Sequence, residues 1–199
     1  MIEISLVFSI LSPYLALSVV HGVARSFFAK SYHSPYTAML LVVIADLFTA
    51  LLIVPTSSSP YSFKLQSFSL LSGVLVGGVL HVLFYRPPPL KGAFPYSLGV
   101  WLAYSMVTAG LEEWVWRGHL MPHLADAFGN PLHGLFAQSV LFGFFHIGQG
   151  GFWVLCHSLI GIVFGVLVFF TGNLASSLVA HAVYNSLIFL HAAKHVKTR

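Results

Sequence analysis

Gly110-Leu-Glu-Glu-Trp-Val-Trp-Arg-Gly118 places two carboxylates and a guanidinium within one short stretch of a chain that otherwise avoids charge. An ionised side chain at the centre of a membrane helix costs roughly 2.5 to 3.5 kcal/mol on insertion scales, so three unpaired ones would cost about 8 to 10. The cluster therefore demands partners. Glu113 and Arg117, four residues apart on a helix, share a face and can pair; Glu112 points about 100° away from Glu113, so one arginine does not serve both carboxylates equally. The pair Glu113–Arg117 reads as structural, and Glu112 is the carboxylate that needs another purpose.

Outward from this stretch the composition decides the class. The 199 residues are 57% hydrophobic and 7% charged, against about 25% charged in soluble domains. That is an all-α, polytopic membrane helix bundle forming one domain over 1–199. Apolar runs predict about seven transmembrane helices, over 4–24, 37–55, 67–85, 96–127 with an irregular end, 131–149, 152–171 and 174–192. Breaker clusters separate them, among them Arg86-Pro-Pro-Pro89, Gly129-Asn-Pro131 and Thr171-Gly-Asn173. The run over 4–24 reads as a retained span because no positively charged segment precedes it.

Nine Lys and Arg are scattered singly and form no basic stripe, which excludes nucleic acid as a partner. With seven spans, Arg25, Lys30, Arg86, Lys91, Lys194, Lys197 and Arg199 fall on one side, and only Lys64 and Arg117 do not. By the positive-inside rule the C-terminus is cytoplasmic and the N-terminus outside. The single cysteine, Cys156, forms no internal disulfide and no paired-thiol metal motif.

Polar residues inside apolar runs carry the functional argument. His146 follows Phe142 by four, and Asn185 follows His181 by four, so each pair shares a helix face. Glu112 and His146 have their midpoint at Gly129, in the turn of a helical hairpin, which puts them at similar depth; Pro122 is expected to kink the first helix and make that alignment approximate. Gly73 with Gly77, and Gly161 with Gly165, read as close helix packing. His119, His123 and His133 read as interfacial, Cys156 and His157 as core, and the tryptophans Trp101, Trp114, Trp116 and Trp153 as anchors and packing. Asp46 is expected to pair with His21 or His81. No HExxH helix or GxSxG elbow is present, and the aspartates, Asp46 and Asp126, lack a GxGD setting.

Glu112-Glu113-Trp-Val-Trp-Arg117, Phe142-Gly-Phe-Phe-His146 and His181-Ala-Val-Tyr-Asn185 resemble, in order, the EExxxR, FxxxH and HxxxN signatures of one family. It is the CAAX-protease and bacteriocin-processing (CPBP, Abi) family of intramembrane endopeptidases, which includes the type II CAAX prenyl proteases. The resemblance covers about 98–191; the three spans within 4–85 lie outside it. It implies a seven- or eight-helix bundle whose cavity opens toward the cytosol, where a peptide bond near the C-terminus of a membrane-associated protein or peptide is hydrolysed. Carried over by position, Glu112 and His146 would activate water, His181 and Asn185 would bind the oxyanion, and Glu113, Arg117 and Phe142 would support them. Glu112, His146 and His181 are equally competent ligands for a divalent metal such as zinc, and residue types fit either version.

Two rival readings remain at this level. One is a non-catalytic immunity or scaffold protein of the same fold, which has no need of four costly polar groups. The other is a transporter or proton relay using Asp46, His21 and His81.

Overall fold

The computed structural model describes residues 59–85 and 98–197, with Val43, Ile44 and Leu47 as isolated helical positions. The expected span over 4–24, most of that over 37–55, and with them His21 and Asp46, lie outside the described residues. Within them the order is α1 (Ser67–Phe84), α2 (Leu98–Glu113), a π-helical segment (Trp114–Leu120), α3 (Met121–Phe128), α4 (Pro131–Phe145), a 3-10 turn (Ile147–Gln149), α5 (Gly151–Thr171) and α6 (Leu174–Lys197). No strand occurs among the described residues.

Among the described residues, three helices are long and apolar enough to cross a membrane: Ser67–Phe84, Gly151–Thr171 and Leu174–His191, with Pro131–Phe145 a shorter apolar helix. The 21 residues of α5 span about 30 Å at 1.5 Å per residue, the thickness of a hydrocarbon core. The chain is an all-helical integral membrane bundle, and the described residues do not carry the count of seven spans.

The helix expected over 96–127 is where sequence and structure differ most. It is α-helical only to Glu113, widens into π geometry, and resumes as α3. Pro122 supplies the reason: it has no N–H for the carbonyl of Gly118, and its ring crowds that carbonyl. The ladder slips by one residue ahead of it, so that the N–H of Met121 reaches Trp116 O. Pro122 itself sits in the first turn of α3, where no donor is needed. The expected break thus falls before the proline, over the segment that holds Arg117.

The following turn matches its composition. Gly129 adopts φ 62° and caps α3, Asn130 Oδ1 accepts from Leu132 N at 2.8 Å, and Pro131 opens α4. Helix α4 stops at Phe145, short of the expected 149.

Small residues set the helix spacing, as expected. Helix α1 lies against α6 through Gly73 and Gly77: a Cβ at Gly73 would stand 2.6 Å from Ser176 O and 2.8 Å from Val179 Cβ, and one at Gly77 would strike Ala180 O. Gly161 brings α5 within contact of Ser139 on α4. Trp101 of α2 stacks on Phe189 of α6 at 4.9 Å.

Below α6 a polar knot joins distant segments. Asn173, with none of its surface exposed, accepts from Lys64 N (3.1 Å) and Ala175 N (3.0 Å) and donates to Lys64 O (2.6 Å) and Ser69 Oγ (3.0 Å). Ser62 pairs with the same turn through backbone bonds to Gly172 and Leu174. All bonding positions of the Asn173 amide are filled, so removing it strands buried partners on both segments.

Two outcomes follow for thermal unfolding in detergent. Gly73→Ala overpacks the α1–α6 contact and is expected to cost about 1–3 kcal/mol, whereas Gly78→Ala, on open space, leaves the melting temperature unchanged or raised. Asn173→Ala is expected to cost roughly 2–4 kcal/mol.

Candidate active site

Arg117 is the largest fully buried side chain among the described residues. Its Nη1 donates to Glu113 Oε1 at 2.9 Å, the i,i+4 pair that spacing alone suggested. Its Nη2 donates to Gly161 O on α5 at 3.4 Å, a carbonyl that also accepts from Gln138 Nε2 at 3.3 Å. The guanidinium carbon lies 4.4 Å from the Phe142 ring centroid and 5.3 Å from that of Phe164. A carboxylate, a carbonyl and two π faces thus replace the water this cation would otherwise bind.

Glu113 does more than neutralise the arginine. Its Oε1 also accepts from Nδ1 of His181 at 2.8 Å, across from α2 to α6. That bond commits the Nδ1 proton of His181 and turns Nε2 toward Glu112, whose Oε2 is 3.8 Å away. His181 therefore bridges the two adjacent carboxylates, which the 100° divergence of their side chains makes possible: one imidazole has a nitrogen for each.

His146 is oriented by its own helix. Nδ1–H donates to Phe142 O at 2.9 Å, leaving Nε2 as the acceptor nitrogen of the neutral ring. Phe142 stands edge-on to His146, with ring centroids 4.9 Å apart, and edge-on to His181 at 6.2 Å. One buried ring therefore contacts the arginine and both motif histidines.

Glu112, His146, His181 and Asn185 line a single cavity of about 660 Å³. The four expected site residues are brought together from α2, α4 and α6, with Glu112, His146 and His181 each under a tenth exposed. The cavity continues between Phe84, Trp101, Tyr104, Tyr184 and Ile188. These residues lie toward the end of α1, the start of α2 and the later turns of α6. Glu112 lies fourteen residues into α2, about 20 Å from that end at 1.5 Å per residue.

Two residues read as background stand elsewhere. His157, expected in the core, is half-buried and lines the cavity. His119, expected at the interface, is 2% exposed, and neither ring nitrogen has a hydrogen-bond partner among the described residues. The π segment turns it inward beside Trp114. His123 and His133 keep to the periphery: His123 donates to His119 O at 2.6 Å, and His133 is exposed against Phe128. His81 bonds His191 at 2.8 Å, an imidazole pair the sequence reading did not foresee; Asp46 and His21, its expected company, lie outside the described residues.

Among the described residues no three His, Cys, Asp or Glu side chains are arranged to hold a metal ion. Nδ1 of His181 is engaged by Glu113 and Nδ1 of His146 by Phe142 O. These bonds leave Nε2 of each ring for a water or for a metal alike.

Residues 94–187 match the family model described as type II CAAX prenyl endopeptidase Rce1-like. This segment, a little under half of the chain, supports assignment to the CAAX-protease family. No curated protein and no solved structure matches it. The Rce1-like segment begins just before α2 and ends after Asn185, so it contains all three polar motifs and every residue of the Glu113–His181–Glu112 bridge. The likeness is to a family of CAAX-type prenyl endopeptidases.

The buried pair yields a stability test. Arg117→Met leaves Glu113 as an uncompensated buried charge and is expected to cost about 3–5 kcal/mol. Combining it with Glu113→Gln is expected to restore part of that loss, read as the melting temperature of purified protein in detergent.

Proposed function

We propose that this protein hydrolyses a peptide bond near the C-terminus of a membrane-associated protein or peptide, using Glu112 and His146 to activate water. The observation that carries this reading is the 3.8 Å separation of Glu112 Oε2 and His181 Nε2 in a cavity that His146 and Asn185 also line. Atoms that close can both reach one water oxygen standing beside them on the cavity side.

Amide hydrolysis needs a base for the water, donors for the carbonyl oxygen as it becomes negative, and a proton for the departing amine. Glu112 takes the proton as the water oxygen bonds to the carbonyl carbon. His146, whose neutral ring presents Nε2 as an acceptor, receives the second O–H of the water and fixes its direction of attack. Asn185 donates from its amide to the developing oxyanion, and His181 does so from Nε2 when it carries a second proton. Collapse of the tetrahedral intermediate breaks the C–N bond, and the proton held by Glu112 passes to the leaving nitrogen. Arg117 and Glu113 stay out of the bond changes: the arginine holds Glu113, and Glu113 holds the His181 ring.

The substrate reaches this centre from the end of the bundle where the cavity meets Phe84, Trp101 and Ile188. Arg86, Lys91 and Lys194 lie next to those helix ends in sequence, which makes that end cytoplasmic by the positive-inside rule. The C-terminus is then cytoplasmic as well. The aromatic and aliphatic lining suits an apolar substituent, and a prenylated C-terminal tail is the substrate class named for the family.

In proteoliposomes with a quenched fluorescent farnesylated CAAX peptide, Glu112→Gln is expected to lower cleavage roughly 10²–10⁴-fold, the usual worth of a general base. Asn185→Ala is expected to lower kcat about 10²–10³-fold with little change in KM. Wild-type rates in Glu112→Gln, with correct folding shown by its melting temperature, would remove the hydrolase assignment.

A further inference from the structure

His157 was unremarkable as sequence, one polar residue inside the apolar run of α5. In the fold its ring lies flat on that of His146, with centroids 3.8 Å apart and planes 6° from parallel. Its Nδ1–H donates to Trp153 O at 2.8 Å, the same i−4 carbonyl bond that His146 makes to Phe142 O. The two imidazoles are thus oriented alike from two helices, and both line the cavity that holds Glu112 and His181.

The stack has a structural cause. Gly143, three residues before His146, lets α4 approach α5 so closely that a Cβ there would strike Val154 O and Ser158 Oγ. The close approach falls beside His157. A need for orientation exists as well: His146 caps the C-terminal end of α4 with φ −97° and ψ 13°, followed by a single 3-10 turn and by Gly150 at φ 105°. The bond to Phe142 O and the neighbouring rings of Phe142 and Phe145 hold the imidazole from its sides. His157 supplies the flat surface against its face, at van der Waals distance.

We propose that His157 is a positioning residue of the hydrolytic centre, holding the His146 imidazole by stacking at the angle from which it directs the water. The inference rests on the reading of His146 given above. It requires a flat ring at 157 and not a second titrating group, and this distinguishes it from a direct role in proton transfer.

The test compares His157→Ala, His157→Phe and His157→Gln, with Glu112→Gln in parallel, on the farnesylated CAAX peptide in proteoliposomes. Displacing a reacting group by about 1 Å costs on the order of 10²-fold, so His157→Ala and His157→Gln are expected to lower kcat about 10- to 100-fold with KM nearly unchanged. His157→Phe, which keeps the flat face, is expected to recover most of the loss. A wild-type kcat in His157→Ala, or a His157→Phe variant as slow as His157→Ala, would overturn the proposal. If His157→Ala does not fold, His157→Gln stands in its place. A second readout needs no substrate: with labelled histidine, the Hε1–Cε1 resonance of His146 is expected to shift and broaden in His157→Gln and to stay sharp in His157→Phe. An unchanged His146 resonance in His157→Gln would equally overturn it. Undiminished cleavage by Glu112→Gln would instead sink the hydrolytic reading, while the resonance still reports whether the stack positions the ring.

Discussion

A guanidinium with none of its surface in contact with solvent must find acceptors and π faces inside the bundle, and Arg117 finds them on three helices. Glu113 comes from its own turn, Gly161 O and Phe164 from α5, and Phe142 from α4. Moving any of these helices away would leave a charge unsolvated in a medium where that costs several kcal/mol. The glycines at 143 and 161 are what permit the required approach of α4 and α5. Packing of small residues and solvation of one cation therefore act together.

The same ion pair orients the His181 imidazole. Because Arg117 neutralises Glu113, that carboxylate is kept as an acceptor, and its second bond goes to Nδ1 of His181. The imidazole is then left with Nε2 facing Glu112 at the cavity wall. Orientation of a histidine by a carboxylate behind it is a general device. Here the carboxylate is the neighbour in sequence of the one it helps to serve. Adjacent glutamates diverge by about 100° on a helix, and a single ring reaches both.

Much of this was legible in the residue order. The paired spacing of Glu113 and Arg117, the placement of Glu112 and His146 at equal distances from Gly129, and the helical faces shared by His181 and Asn185 follow from helix periodicity and a hairpin turn. The structure places Glu112, His146, His181 and Asn185 around one cavity, with the Glu113–Arg117 pair buried behind it. The small-residue spacings at 73 and 77 likewise mark a real contact, of α1 with α6. Periodicity was less informative where the helix was not regular. The π segment ahead of Pro122 rotates His119 into the interior, against the expectation of an interfacial side chain near a helix end, and α4 ends before its apolar run does.

What the chain determined by itself is its class and its cast: an apolar composition that excludes a soluble fold, a few charges too costly to be idle, and three polar motifs with their local helical faces. These depend on contacts within four residues, which order along the chain encodes directly. Only the tertiary structure decided that Glu113 serves His181 as well as Arg117, that His157 stacks on His146, and that Asn173 ties the 59–66 segment to the turn before α6. Each of these joins residues 11 to 109 positions apart. Such partners are selected by how closely helices approach, and that distance is set by glycines and buried charges acting on several helices at once.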